Sequence, residues 1–304
     1  MPIHLAKLDR RDFLVAGTAG VVTLATSSPS RAEGAVAADR IAMLSDTHIP
    51  NHPDVSARGV NMTDNLRGVV AEILSRPERP SGVLINGDCA YLKGLPDDYS
   101  NLSRCVSPLA EAEIPLHLTM GNHDDRGPLY EALREQRPET PLVRSKHVTV
   151  VTMPHANLFL LDSLHEVNVV TGELGEGQLA WLAEALDGAT DKPAVIVAHH
   201  NPQFSPPAAG RPWSGIRDTE RLFELLGPRQ HVQAVVFGHT HHWSTERRGR
   251  LHLINLPPVA YVFNESHPNG WVDARLHSGG IELRLQTIDP DDERNGQLVT
   301  LDWS

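Results

Sequence analysis

The chain has 304 residues, of which 40% are hydrophobic, and its formal net charge is −11 at pH 7. This length can bury a large core, and no long charged or low-complexity linker divides the chain, so the composition predicts one compact domain. The acidic balance argues against extended binding to DNA, RNA or anionic lipid, because such binding requires a basic surface.

The first segment of the chain is typical of an export signal. Arg10 and Arg11 precede a modest apolar run, Val15 to Thr26, and small residues follow. This pattern resembles a twin-arginine signal, which the twin-arginine export machinery reads as an address. The alternative is a basic, amphipathic start to the fold.

The export interpretation divides the chain into a signal peptide, residues 1–37, and a mature domain, residues 38–304. Cleavage after Ala32 or after Ala37 would fit the small residues there. The apolar run is too short for an ordinary membrane span, and no Cys in this region offers a lipid attachment site. We therefore expect a periplasmic or extracellular protein that has no stable membrane anchor after cleavage.

Three apolar runs in the first half of the domain end in side chains that can bind metal ions. The segments are 41–45 before Asp46 and His48, 83–87 before Asp88, and 116–121 before Asn122, His123 and Asp124. Taken singly, an Asp after a strand is also a common helix cap, and Gly-Asp is ordinary turn chemistry.

Two helices are predicted from apolar residues at helical spacing. The first is Asn65 to Ser75, closed by Pro77, and the second is Gln178 to Leu186, stopped at Gly188. Trp181 and Leu182 lie in the second helix and are expected in the core rather than on the substrate.

Two further apolar runs end in histidine pairs. Residues 194–198 precede His199 and His200, and residues 235–238 precede His239 and His241. Gly238 would let the chain come close to a bound ion. After Gly238, Leu251–Asn255 and the pair Trp271–Leu276 and Ile281–Ile288 predict antiparallel strands.

The joint occurrence of these five segments decides between the interpretations. Open α/β folds bind ligands at the carboxyl edge of the sheet, and all five segments follow predicted strands. Together they supply the carboxylate, amide and imidazole donors of a two-metal hydrolytic centre. Two divalent ions would also let an acidic protein bind a small phosphate ester.

The order of the motifs resembles the calcineurin-like metallophosphoesterase superfamily over about residues 40–260. Within it, the stretches Gly121–Arg126, Gln178–Leu182 and His199–Pro202 most resemble the bacterial class III cyclic-nucleotide phosphodiesterases. The resemblance implies an α/β fold, a four-layer αββα sandwich with two mixed β-sheets.

The resemblance also implies a ligand set for two divalent transition-metal ions. One ion would be held by Asp46, His48, Asp88 and His241, and the other by Asp88, Asn122, His199 and His239. Asp88 would bridge them, and a hydroxide between the ions would attack phosphorus in line. Oxygen and nitrogen ligands without thiolate suit Mn, Fe or Zn.

Four neighbouring residues are candidates for catalysis or substrate binding. His123 would face the phosphate as a donor or general acid, with Asp124 as its orienting partner. Arg126 could bind a phosphate oxygen or pair with Asp125 or Glu131, and His200 could contact substrate or support a ligand. The Pro- and Gly-rich stretch 201–215 is a candidate lid.

Three functions remain compatible with the sequence. The favoured one is a phosphoesterase of small phosphate esters, with phosphodiesters preferred. The alternatives are a phosphomonoesterase on the same centre and a non-catalytic metal-binding scaffold. Cys89 and Cys105 could form a disulfide in an oxidising compartment or remain buried thiols.

Overall fold

The computed structural model describes residues 35–303. The arginine pair, the apolar run after it and Ala32 lie outside the described residues. Within residues 35–303, no helix is long and apolar enough to cross a membrane.

Five α-helices and sixteen strands make up the described part of the chain. The helices are α1 (Met62–Ser75), α2 (Pro96–Glu111), α3 (Arg126–Ala132), α4 (Glu176–Asp187) and α5 (Thr219–Leu226), and a short 3-10 turn spans Arg134–Gln136. The strands are β1 (Ala35–Ala37), β2 (Arg40–Ser45), β3 (Ser56–Ala57), β4 (Val60–Asn61), β5 (Glu78–Pro80), β6 (Val83–Asn86), β7 (Leu116–Thr119), β8 (Thr149–Thr152), β9 (Asn157–Leu160), β10 (Ala194–Val197), β11 (Val232–Phe237), β12 (Ser244–Arg248), β13 (Leu251–Asn255), β14 (Gly270–His277), β15 (Gly280–Thr287) and β16 (Leu298–Asp302).

Twelve of the strands form two six-stranded mixed sheets. The first sheet has the order β16-β15-β14-β2-β6-β7, and the second has the order β12-β13-β11-β10-β9-β8. Parallel pairing runs through β2, β6 and β7 in the first sheet and through β9, β10, β11 and β13 in the second. Two small pairs, β1 with β5 and β3 with β4, complete the pattern.

Three separate apolar cores define four layers. Successive side chains of a strand point to opposite faces, so each buried sheet needs cover on both sides. In β2, Ile41 and Met43 pack between the two sheets, whereas Ala42 and Leu44 pack under α1, α2 and α3. The second sheet is covered on its outer face by α4 and α5. The αββα sandwich with two mixed sheets is therefore confirmed.

The two predicted helices are present and begin slightly earlier than the apolar pattern. α1 starts after Asn61, whose side chain accepts a hydrogen bond from the backbone of Asp64. It ends at Ser75 because Pro77 forces the preceding Arg76 into an extended conformation. In α4, Leu182 is buried and Trp181 packs against the same core, as expected.

The end of the chain is rich in strands, but the prediction of antiparallel pairing is only partly right. β14 and β15 form the expected antiparallel hairpin, whereas β13 pairs parallel with β11 on one side and antiparallel with β12 on the other. The parallel pairing matters for function, because it brings the loop after β13 to the same edge as the metal-binding motifs.

The two cysteines are free thiols. Cys89 and Cys105 are both buried in the core beneath α1 and α2. Burial raises the pKa of the Cys89 thiol well above its usual range, so the thiolate needed for disulfide chemistry is disfavoured. Of the two interpretations of this pair, the structure has buried thiols.

Candidate metal centre

The first sheet contributes four predicted ligands from the ends of three adjacent parallel strands. Asp46 and His48 follow β2, Asp88 follows β6, and Asn122 follows β7. Because parallel strands end at the same edge of a sheet, all four side chains emerge together. Each is at least 96% buried, since none exceeds 4% exposure.

The second sheet contributes the histidines from two adjacent parallel strands. His199 follows β10, and His239 and His241 follow β11. Gly238 lies between β11 and these rings, and a Cβ built there would meet the Ser45 hydroxyl at 2.0 Å. The glycine therefore permits close approach of the two sheets to each other, rather than only of the chain to an ion.

One group of ligand atoms surrounds a position between Asp46, His48 and His241. The Nε2 atoms of His48 and His241 are 3.0 Å apart, and His241 Nε2 lies 3.3 Å from Asp46 Oδ1. His48 Nε2 is 3.8 Å from Asp88 Oδ2. Ligands at about 2.0–2.2 Å from one ion stand roughly 3.0–3.5 Å apart. Small movements of these side chains toward one ion would therefore complete its coordination.

A second group shares Asp88 with the first. His199 Nε2 is 3.3 Å from Asp88 Oδ2, and one ligand atom each from Asp88, His199 and His239 lie within 4.8 Å of one another. The Asn122 side chain is buried beside them, and its Oδ1 has no hydrogen-bond partner. A carboxylate common to both groups is the arrangement that a bridging ligand requires.

Orphaned polar atoms support the fit to cations. Asp46 Oδ1, Asn122 Oδ1 and His199 Nε2 are buried without a hydrogen-bond partner in the described structure. Buried polar atoms in proteins are nearly always paired. These three are all electron-pair donors in the expected ligand set, so divalent cations are the group that they fit.

Three ligand rings are oriented from behind by backbone carbonyls. A ring nitrogen that donates a hydrogen bond fixes the tautomer and leaves the other nitrogen free for a cation. The three contacts are His199 Nδ1 to Asn86 O at 2.8 Å, His239 Nε2 to Ser214 O at 2.7 Å and His241 Nδ1 to Tyr261 O at 2.6 Å.

Five predicted ligands adopt left-handed backbone conformations. The φ angles are 51° at Asp46, 44° at His48, 45° at Asp88, 67° at His239 and 56° at His241. Such conformations are uncommon outside glycine, and they concentrate at functional sites where surrounding structure enforces them. The turns after β2, β6 and β11 are therefore shaped around the side chains that they present.

The electrostatics keep the carboxylates ionised. Burial opposes ionisation of Asp88, yet the imidazoles of His199 and His123 hold its pKa well below the usual range. Burial also opposes charge on His199, but Asp88 and Asp46 raise its pKa to about 10. Burial lowers the pKa of His48 to about 3. Ionised carboxylates and neutral imidazoles are the forms that bind cations, so a cation bound at this centre would displace the proton that His199 holds.

His123 stands at the open side of the centre. Its Nε2 is 4.0 Å from Asp88 Oδ2, and its side chain keeps 20% exposure. Its Nδ1 contacts the backbone carbonyl of Leu92 at 2.6 Å. Leu92 supplies that carbonyl from a left-handed conformation, with φ of 62°. The contact makes Nδ1 the donor and turns Nε2 toward the cavity.

Asp124 does not orient His123, contrary to the sequence-based expectation. The carboxylate is fully buried and accepts hydrogen bonds from four donors that belong to the loops after β6 and β7 and to α2. These donors are Cys89 N, Ala90 N, Gly121 N and the Tyr99 hydroxyl. Asp124 thus ties the Asp88 turn to the Asn122 turn, while Leu92 orients His123.

Arg126 also has a different place from the one expected. Its guanidinium binds the buried carboxylate of Asp162 through Nε at 2.6 Å and Nη2 at 2.7 Å. Nη2 also donates to the carbonyl of Leu164. The bidentate pairing with Asp162 uses Nε and Nη2, and Arg126 does not line the cavity over the ligands, so Arg126 is a structural cation here.

His200 is buried behind the ligands and does not line the cavity. Its Nδ1 contacts the Ser163 hydroxyl at 2.7 Å, and its ring lies 4.6 Å from that of His239. Burial lowers its pKa well below the usual range, so the ring is neutral. The expected substrate contact at His200 is therefore not present, and the ring supports its neighbours.

The stretch 201–215 contacts the centre through Ser214. The Gln203 side-chain oxygen accepts from the backbone of Ser214 and of Gly215, both at 3.0 Å, and Ser214 O in turn holds His239. None of these loop residues lines the cavity over the ligands. The part of this loop in substrate selectivity stays a prediction.

The cavity over the centre includes residues that the sequence motifs did not reveal. It has a volume of about 360 Å³ and is lined by His48, Asp88, Asn122, His123, Asn168, Val170, His239, His241, Tyr261 and Phe263. Asn168 and Val170 lie in the loop after β9, and Tyr261 and Phe263 lie in the loop after β13. A sequence-based prediction of β9 and β13 as parallel strands would have placed these loops at the metal-binding edge.

Comparisons with known proteins agree with this geometry. A family model described as calcineurin-like phosphoesterase matches residues 39–243. The chain is 29% identical over 248 residues to the 3′,5′-cyclic adenosine monophosphate phosphodiesterase CpdA of Pseudomonas aeruginosa, covering 81% of this chain and 85% of the relative. It is 26% identical over 246 residues to the glycerophosphodiester phosphodiesterase GpdQ of Enterobacter lignolyticus, covering 75% and 81%.

A solved structure shows the same fold. A dimetal phosphatase from Danio rerio superposes with a TM-score of 0.66 at 17% sequence identity, covering 87% of this chain and 99% of that protein.

Proposed function

Because the chain belongs to the calcineurin-like phosphoesterase family, we propose that it hydrolyses small phosphodiesters, with 3′,5′-cyclic nucleotides as the substrate class. The chain is a metal-dependent hydrolase of phosphoric esters. The observation that carries the proposal is the pair of ligand groups that share Asp88, with His123 beside them at the open side. The similarity to a cyclic AMP phosphodiesterase over most of both chains supports the choice of substrate.

The residues of the centre divide the work between holding cations and handling protons. Asp46, His48 and His241 would hold one divalent ion, and Asn122, His199 and His239 the other, with Asp88 between them. Divalent ions bound here would neutralise the phosphate charge and activate water at neutral pH.

His123 would act on the ester rather than on a cation. The Leu92 carbonyl holds Nδ1, so Nε2 is the nitrogen that can reach a substrate in the cavity. A protonated Nε2 would donate to the phosphate or to the departing alkoxide, which is a poor leaving group without a proton. We assign to the backbone of Leu92 the orienting role first expected of Asp124.

The ligand types limit which ions the centre would bind. The centre offers carboxylate, amide and imidazole donors, and it contains no thiolate. Such a set suits Mn, Fe or Zn, and availability during loading would decide among them.

A substrate comparison tests the proposed function. Purified, metal-loaded protein would be assayed with 3′,5′-cyclic AMP, a glycerophosphodiester, bis(p-nitrophenyl) phosphate and p-nitrophenyl phosphate. We expect diester turnover to exceed monoester turnover, and kcat/KM to be highest for the cyclic nucleotide. Preference for p-nitrophenyl phosphate would make the protein a phosphomonoesterase. No turnover of any ester by protein with full metal content would favour the scaffold alternative.

The place of the enzyme in the cell is a separate proposal. We propose that the twin-arginine machinery exports it as a folded, metal-loaded protein to the periplasm or beyond. The pair Arg10 and Arg11 ahead of a short apolar run supports this. Cleavage after Ala32 would leave β1, and thus its pairing with β5, in the mature chain, whereas cleavage after Ala37 would remove β1.

A further inference from the structure

An aromatic pair borders the metal centre at the mouth of the cavity. Tyr261 and Phe263 come from the loop after β13, and the Phe263 ring stacks on His241 with centroids 4.0 Å apart and an interplanar angle of 20°. Phe263 nevertheless remains 56% exposed. A large apolar ring fixed against a metal ligand and open to solvent offers a surface to whatever occupies the cavity.

A guanidinium from another part of the chain adjoins the same rings. Arg58 and Gly59 form the turn between β3 and β4, with φ angles of 51° and 79°. The Arg58 guanidinium carbon lies 4.9 Å from the centroid of Phe263 and 5.6 Å from that of Tyr261. Among residues 35–303, no carboxylate forms an ion pair with Arg58. Its planar, hydrogen-bonding head is therefore available to a ligand.

A further apolar contribution to the cavity comes from the loop after β9. Val170 lines the same cavity and is 37% exposed. The loop is attached to the centre, because the backbone of Asn168 donates to the carbonyl of Asn122 at 2.6 Å. An apolar side chain thus lines the same cavity as the aromatic pair and a metal ligand.

We infer that Arg58, Phe263 and Val170 form a binding site for the planar base of a nucleotide ester. This inference rests on the proposed function and names the group that selects among phosphodiesters. His241 covers one face of the Phe263 ring, so a heteroaromatic base would stack on the exposed side of the ring, beside Arg58, and contact Val170. The Arg58 fork can hydrogen-bond to acceptors on the edge of that base. A glycerol group has no planar face and gains none of these contacts. The stacking of Phe263 on His241 places the base site directly beside the phosphate site.

Selectivity between two diesters measures the base site. We define the selectivity ratio as kcat/KM for 3′,5′-cyclic AMP divided by kcat/KM for a glycerophosphodiester. Stacking on one aromatic side chain changes binding by about 5- to 150-fold, so Phe263→Ala should lower the ratio by about that factor. Phe263→Tyr keeps the aromatic face and should preserve the ratio, whereas Phe263→Leu keeps only apolar area and should lower it. Arg58→Lys keeps the charge, loses the planar fork and should also lower the ratio.

A matched control separates the base site from general effects of truncation. Leu142 is 50% exposed and does not line the cavity, so Leu142→Ala should leave the ratio unchanged. Metal content would be measured in every variant, because Phe263 also packs on a ligand. Equal losses on both diesters, or an unchanged ratio in Phe263→Ala, would overturn the inference and leave the proposed function standing.

Measuring the binding of reaction products tests the base site even if the proposed function fails. Should the parent protein hydrolyse no diester, calorimetric titration with adenosine 5′-monophosphate and with glycerol 3-phosphate would be compared. The base site predicts roughly tenfold tighter binding of the nucleotide and loss of that preference in Phe263→Ala. Equal affinity of the parent for the two ligands would refute the base site independently of turnover.

Discussion

A methyl group added at Gly121 should damage the metal centre by pushing against Asp88, the carboxylate common to both ligand groups. A Cβ built on Gly121 would lie 2.2 Å from Asp88 Oδ1 and 2.4 Å from the Asp88 backbone nitrogen, whereas ordinary contacts begin at 3.4 Å. The Asp88 turn would have to retreat by about 1 Å in Gly121→Ala, since the new methyl group would meet the backbone nitrogen of Asp88 as well as its carboxylate. A displacement of about 1 Å in a reacting centre can lower turnover roughly 100-fold.

The same variant should lose stability by an amount typical of an overpacked core. We expect about 1–3 kcal/mol, which corresponds to a Tm lower by about 2–4 °C for each kcal/mol. Metal content by elemental analysis, diester turnover and thermal unfolding would be measured together. We expect substoichiometric metal and turnover reduced by at least about 100-fold.

A second glycine provides the control for this prediction. Gly68 is exposed within α1, and a Cβ built there meets no atom within 4 Å. Gly68→Ala should therefore keep full activity and gain about 1 kcal/mol from helix propensity. Full metal content and turnover in Gly121→Ala would refute the argument that close approach at this glycine positions Asp88.

Three further predictions concern the metal centre and the cellular location of the protein. His123→Asn should retain metal content yet lower turnover by about 10²–10⁴-fold, and loss of an ion would instead make His123 a ligand. Active protein should contain close to two transition-metal ions by elemental analysis, and Asp88→Asn should lose most activity; active protein without metal would eliminate the mechanism. Replacing Arg10 and Arg11 by Lys should leave folded, uncleaved enzyme in the cytoplasm, and fractionation showing normal export would argue against a twin-arginine signal.

The helices, the strands and the types of ligand residue were predictable, because each produces a pattern among residues that are neighbours in the sequence. The strand that ends before Asp88 and the one that ends before His199 are short apolar runs, and each is followed by a donor at the sheet edge. Helix α1 could be bounded because Pro77 acts on the residue before it. These signals depend on residues that are close in sequence, so no tertiary information is needed to detect them.

The partners of individual polar side chains were not predictable, because they lie far apart in the chain. Arg126 was assigned to a phosphate or to Asp125 or Glu131, whereas its partner Asp162 is 36 positions away. Asp124 was placed beside His123 by adjacency, although a carboxylate that follows a ligand can equally turn toward its own backbone. The position of Phe263 at the cavity could not be predicted, because it depends on the parallel pairing of β13 with β11, which periodicity alone does not show.

The left-handed turns at the ligands restrict how this centre can change during evolution. Asp and His are among the few residue types other than glycine that occupy such turns at modest strain, together with Asn. At Asp46, Asp88 and His241, the side chain that would bind a cation is therefore also one that tolerates the left-handed backbone conformation. A descendant that abandons catalysis is expected to drift toward Asn or Gly at these positions before it accepts Ala or Val. For the same reason, an inactive variant that is meant to keep the native fold is better made with Asn than with Ala.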